Sequence, residues 1–290
     1  MMDISTYTAI IRSLDNKSLE LLGIALALYY TSTLIYALRW KIVLAGMGRD
    51  LPLLDLLKVT LSSIFVNNVT PMSRGGGEIL RVTWVSKKHQ IPIALSTISI
   101  VYERIVEIVP VMFLLLLGIT YFAAQVLSIA ALFMLFILLI WLKWEEFIRI
   151  SVKILKIQLT QEELLKISEL KRKPSLNILA VGLSSMVWIL DIARLKLIAL
   201  AFGWDPNIGL LALISLANLL FGLMAFTPGG VGIVEGGLFG TLTYFGIPST
   251  LAISVTLIER FISYVLSTIV GFLVLIGSGG VELWKALKSH

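Results

Sequence analysis

From Ile108 to Leu142 no side chain carries a formal charge, and the same holds from Pro206 to Val234 and from Gly236 to Ile258. A helix of about 20 apolar residues crosses the hydrocarbon core of a bilayer, so each stretch is long enough to span. The first is long enough to turn and begin a second crossing. Inside a bilayer the backbone must satisfy its own N–H and C=O groups, and continuous apolar runs do so as helices. Only 14% of the 290 residues are charged, against roughly 25% in soluble domains. The chain reads as all-α, a polytopic helical membrane protein forming a single membrane domain over residues 1–290.

Composition then removes several function classes. There is no cysteine, so no disulfide framework, thiolate metal site or cysteine nucleophile is available. The two histidines, His89 and His290, are far apart and each adjoins a lysine. A histidine metal site or a Ser-His-Asp triad has almost nothing to be built from. Catalytic residues, metal and cofactors are all expected to be absent. The net charge of +6 fits the positive-inside rule and anionic headgroups rather than nucleic acid. The polar, mixed-charge segment Met1 to Leu14 does not read as a cleaved signal peptide.

Four ordered landmarks recur along the chain. Arg39-Trp-Lys41, with Gly48 nine residues after the arginine, returns as Arg194-Leu-Lys196 with Gly203. Thr70-Pro71, with Glu78 seven residues after the proline, returns as Thr227-Pro228 with Glu235. Glu103-Arg104 returns as Glu259-Arg260, 25 residues past the earlier glutamate in one half and 24 in the other. This spacing predicts an internal duplication: repeat 1 over 19–142, a charged surface connector over 143–173, and repeat 2 over 176–278. In each repeat a block is broken, by Asn67 to Gly77 in the first and by Thr227 to Gly232 in the second.

Charge places the breaks. If both broken blocks dip in and return, Arg12 and Lys17 are the basic residues on the N-terminal face. Arg49, Lys87, Lys88, the connector's lysines and arginines, Lys285 and Lys288 then share the other face. That face is cytoplasmic by the positive-inside rule, putting the N-terminus outside and the C-terminus in the cytoplasm of a multi-pass cell-membrane protein. Three crossings separate the two hairpins, so the repeats are expected to be inverted, with re-entrant helix hairpins around a central cavity. Non-helical backbone at membrane depth needs protein or water around it, and Gly75, Gly76, Gly77, Gly229, Gly230 and Gly232 therefore imply that cavity.

Ionisable residues deep in apolar blocks are costly and mark candidate sites. Glu103, Arg104 and Glu107 share one span, with both carboxylates on one helical face. Asp191 with Arg194, and Glu259 with Arg260, occupy two others, while Glu235 opens the second half-helix and Glu78 the first. Each carboxylate is a candidate for charge pairing or proton coupling. Arg74, Arg81, Arg104 and Arg260 suit bidentate phosphate contact, and the glycine-run helix starts offer amides to an anion. The alternatives are internal ion pairs that hold the bundle together and glycines that only permit a sharp turn. Arg194 and Lys196 are expected to snorkel toward headgroups. Asn67, Asn68 and Asn218 either recognise polar headgroup atoms or satisfy broken backbone.

The segment Asn67-Asn-Val-Thr-Pro-Met-Ser-Arg-Gly-Gly-Gly-Glu78-Ile-Leu-Arg81, with Thr227-Pro-Gly-Gly-Val-Gly-Ile-Val-Glu235 and Glu259-Arg260-Phe-Ile-Ser-Tyr264, resembles one family. It is similar to the flippase-like transmembrane domain of lysylphosphatidylglycerol synthetases, the multiple peptide resistance factor family, and its stand-alone relatives. The likeness runs from about Leu21 to Ile276. It implies a lipid translocase acting on a phospholipid or polyprenyl-linked headgroup, with Arg81, Glu235 and Arg260 at the family's charged functional positions. Against the pattern, the chain begins just after the place of the family's usual first helix. It also carries no aminoacyltransferase domain, so lipid aminoacylation is not implied. No nucleotide-binding motif is present, which leaves a gradient or downhill flow as the driving force. The competing expectation is a lipid-binding accessory subunit that partners a membrane glycosyltransferase or lipid-synthesis enzyme without transporting.

Overall fold

The computed structural model describes residues 15–71, 75–118, 131–132, 135–136, 139–140, 142–154 and 160–279. Arg74, most of the expected crossing Thr120–Leu142, and the lysines near the C-terminus lie outside them.

The described residues are helical throughout, joined by short turns. In order they are α1 (Asn16–Gly46), α2 (Leu53–Val69), α3 (Gly75–His89), α4 (Ile93–Leu117), α5 (Trp144–Ile154) and α6 (Gln161–Lys171). The second half follows as α7 (Pro174–Ala201), α8 (Ile208–Met224), α9 (Ile233–Tyr244) and α10 (Ser249–Gly277), the last widened by a π-turn at Phe261–Leu266. Among the described residues, α1, α7 and α10 are long and apolar enough to cross a membrane. α4 has 25 residues but carries Glu103, Arg104 and Glu107 in its middle.

Local sequence sets the helix ends. Asp15 caps α1 by accepting the Ser18 amide at 2.7 Å, and this bond holds the Asp15 carboxyl below its usual range. Asn207 caps α8 through the Leu210 amide at 2.9 Å. Pro174 opens α7, where a missing N–H costs nothing. α1 and α7 close alike, with Gly48 at φ 77° and Gly203 at φ 71°, and with the next amide reaching back to Leu44 and Ala199.

α1 and α7 form the longest packed pair, and they run antiparallel. Ser18 at the start of α1 donates to the Ala201 carbonyl at the end of α7, while Lys173, just before α7, reaches the Gly46 carbonyl. α2 and α3 fold back on each other: Asp55, early in α2, pairs with Lys88 at 3.1 Å and lies 3.4 Å from His89, at the end of α3. α8 and α9 fold back likewise: a Cβ added at Gly237, early in α9, would lie 2.3 Å from the ring of Phe221, late in α8. α2 leaves from the C-terminal end of α1, and α8 from the C-terminal end of α7. The two hairpins therefore approach from opposite ends of the antiparallel pair.

The turns of the hairpins meet in the middle. A Cβ added at Gly229 would lie 3.0 Å from the Asn68 carbonyl and 2.1 Å from the Tyr264 ring. With φ at 60° as well, this position is restricted to glycine on two independent grounds. Gly77 is equally confined: an added Cβ would lie 2.3 Å from the Ser63 carbonyl of α2. Gly77 and Gly229 therefore serve close backbone approach. The connector carries α5 and α6, and it docks by burying Trp144, whose indole donates to the Ile167 carbonyl at 3.3 Å. Ile178, Leu220, Phe113 and Leu273 point outward and are more than half exposed, the reverse of a soluble fold.

Candidate functional site

A cavity of about 300 Å³ opens between the two hairpins, α1, α4, α7 and α10. Its wall includes Tyr29, Tyr36, Ser63, Asn67, Asn68, Arg81, Arg104, Trp188, Asp191, Arg194, Ser215, Asn218, Gly229, Gly230, Glu259 and Arg260. Polar wall inside an apolar bundle is the feature to explain.

Two buried triads anchor it. In the first, Glu103 of α4 accepts from Arg39 Nε at 3.1 Å and from Arg81, and Arg39 also donates to Ser184 at 2.6 Å. In the second, Arg194 of α7 donates to Glu259 of α10 and to Asp191 one turn earlier. Asp191 also accepts from Ser215, and Asn218 lies 3.4 Å from Glu259. Charges this deep persist only when paired and hydrogen-bonded. Arg194 is 4% exposed; the expected snorkelling is wrong, because two carboxylates hold it inside. Lys196 does reach the helix end, where it bonds Asp205 and the Pro206 carbonyl. Lys41 does the same at the matching landmark, with Asp50 and the Leu51 carbonyl.

A second set of pairs ties α3 to α4 and α9 to α10. Arg104 holds Glu78 of α3 at 2.6 Å and Glu107 at 2.8 Å. Arg260 holds Glu235 of α9 at 2.7 Å and donates to the Gly229 carbonyl at 2.7 Å. Glu103 and Glu107, expected on one face, take different partners, since Glu107 also accepts from Tyr36. Four of these guanidiniums sit over an aromatic ring: Arg39 over Tyr36, Arg81 over Trp40, Arg194 over Tyr29, and Arg260 over Tyr264.

Three of the glycine-run amides are engaged. Gly77 N donates to Asn67 at 2.7 Å, Gly230 N to the Thr227 carbonyl, and Gly232 N to Glu235 at 2.6 Å. Asn67 thus satisfies broken backbone. Asn68 reaches Thr268 at 2.8 Å and Ser267 at 3.2 Å, fastening α2 to α10 beside the π-turn. Gly75 and Gly76 sit in the first turn of α3. Two donors on the wall have no acceptor among the described residues: Arg81 Nε and Trp188 Nε1, both buried.

Arg39, Tyr36, Trp40, Trp188 and Ser215 were not singled out as site residues from the sequence. For Arg39 a signal existed, because the duplication sets it opposite Arg194. The others are ordinary residues of apolar helices, and only packing shows what they face.

Comparison with known proteins bears on this architecture. A UPF0104 membrane protein of Methanocaldococcus jannaschii is 29% identical over 293 residues, covering 92% of this chain and 87% of its own length. One from Pyrococcus horikoshii is 25% identical over 298 residues, with 90% and 88% covered. Another, from Methanothermobacter thermautotrophicus, is 26% identical over 271 residues, with 83% and 80% covered. No solved structure matches the chain. Residues 1–271 match the family described as the lysylphosphatidylglycerol synthase TM region. The chain is a multi-pass membrane protein and belongs to that family.

Proposed function

We propose that the protein translocates a lipid by passing its headgroup through the central cavity while the acyl or prenyl chains stay in the bilayer. The observation that carries this reading is a cavity between apolar helices lined by Arg81, Arg104 and Trp188, with Arg81 Nε and Trp188 Nε1 buried without an acceptor among the described residues. Buried donors are normally satisfied, so a ligand or water belongs there. Arg104 adds to the site, since 37% of its side chain remains open toward the cavity despite two carboxylate partners. An anionic headgroup such as a phosphate suits these donors.

The same reading takes the two halves as inverted repeats with re-entrant hairpins. Matching pairs at matching landmarks support it: Arg39–Glu103 with Arg194–Glu259, and Arg104–Glu78 with Arg260–Glu235. The hairpins' approach from opposite ends of α1 and α7 supports the inversion, a design suited to alternating access. Reconstitution tests the function. Vesicles of phosphatidylglycerol and phosphatidylethanolamine carrying headgroup-accessible fluorescent phosphatidylglycerol should exchange label between leaflets faster with the protein than without. Tight binding of that lipid with no faster exchange would instead support a non-transporting accessory subunit.

A further inference from the structure

The two buried triads have opposite net charge. Glu103 lies between the guanidiniums of Arg39 and Arg81, one negative group against two positive. Arg194 lies between Asp191 and Glu259, one positive group against two negative. Arg39 matches Arg194 and Glu103 matches Glu259, so the inversion comes from the third member: Arg81 from α3, Asp191 from α7 itself. Arg260 does not neutralise the second triad, because it is held by Glu235 and the Gly229 carbonyl.

The surroundings leave Asp191 as the group with access. Its side chain is 24% exposed and lines the cavity, whereas Glu259 is 1% exposed. From α8 it meets the uncharged Ser215, while Asn218 lies against Glu259; α1 presents Tyr29 and Tyr36 to the cavity, and α10 presents Glu259 and Arg260. Arg81 of α3 and Arg104 of α4 stand elsewhere on the cavity wall, and no lysine or histidine lines it among the described residues. One turn before Asp191, Trp188 lines the same cavity and is 8% exposed, and its buried indole N–H has no acceptor among the described residues. A buried indole N–H takes a partner, and a polar cavity of this size admits water beside Asp191. A carboxylate in excess of its cations, buried yet reached by water, is where a membrane protein accepts a proton.

We infer that the Asp191–Arg194–Glu259 triad is a proton-binding site of the cavity, loaded from cavity water onto the Asp191 carboxylate. The inference rests on the proposed lipid transport for its purpose, not for its existence. One bound proton leaves the triad with one negative and one positive group. Its release restores the excess, so the charge of the second half changes with occupancy while the first triad keeps its positive excess.

Infrared titration of the purified full-length protein tests the site without transport. On acidification a protonated-carboxyl component should appear in the wild type that is absent from Asp191→Asn. No such band in the wild type, or its persistence in Asp191→Asn, overturns the inference. Should that variant not fold, Ser215→Ala serves, because it removes a hydroxyl bound to Asp191. The band's midpoint should move along the pH axis, and an unmoved midpoint contradicts the assignment. In phosphatidylglycerol–phosphatidylethanolamine vesicles with an enclosed pH dye, lipid exchange should depend on pH and move protons. The Asp191→Asn profile should be flat. Dependence on sodium in place of pH, seen by exchanging sodium for choline, would overturn the proton in favour of a metal cation. If no lipid moves at any pH, the transport proposal fails while the infrared result still decides the site.

Discussion

Arg194 on α7 and Glu259 on α10 form a buried ion pair that matches the pair Arg39 on α1 and Glu103 on α4. Each pair joins helices far apart in sequence, and each is completed by a third charged group from a different source. The two halves thus share a scaffold and differ in charge.

This difference predicts unequal costs of removing the two arginines. Arg39→Met leaves Glu103 still paired with Arg81, whereas Arg194→Met strands both Asp191 and Glu259. Removing one partner of a buried pair costs about 3–5 kcal/mol. Arg194→Met should fall at or above that range and Arg39→Met below it, measured by denaturant unfolding in detergent. Equal losses would show that Arg81 does not hold Glu103 on its own.

The hairpin turns predict a graded glycine series. Gly48→Ala meets open space and carries only its left-handed backbone, at about 1–2 kcal/mol. Gly229→Ala adds a collision with the Tyr264 ring, and its loss should be roughly double or more. Pairing it with Tyr264→Ala should recover the steric part but not the backbone part. Full recovery in thermal unfolding would mean that the φ at Gly229 is not a constraint.

Much of this was legible in the sequence. Uncharged stretches mark membrane helices because bilayers reject charge, and recurring landmarks point to Arg194, Glu259 and Arg260 because they stand at fixed spacing from prolines and glycines. Pairing was not legible. Glu103 and Glu107 lie four apart on one helix, yet they part because Arg81 arrives from α3 and Tyr36 from α1. Nor could spacing tell that Arg194 stays inside, since that depends on Glu259 arriving from α10 to join Asp191.

Topology gives a further prediction. The chain has no cysteine, so single cysteines at Ser5, Ser175 and Ser249 report cleanly. An impermeant reagent added outside intact cells should label positions 5 and 249 and spare 175 until the cells are opened. Labelling of 175 and 249 from the same face would sink the inverted, re-entrant arrangement.

The central claim is that a lipid headgroup passes the donors of this cavity, and Arg81 is where that is read most directly. Arg81→Lys keeps the charge beside Glu103 but loses the planar fork and the unpartnered Nε. A charge-assisted hydrogen bond is worth about 1.5–3 kcal/mol, roughly tenfold or more in rate. The measurement is leaflet exchange of fluorescent phosphatidylglycerol in reconstituted vesicles, normalised to the amount of folded protein. The wild type should accelerate exchange, and Arg81→Lys should be slower by roughly tenfold or more. Exchange by the wild type no faster than in protein-free vesicles, or undiminished exchange in Arg81→Lys, would contradict it.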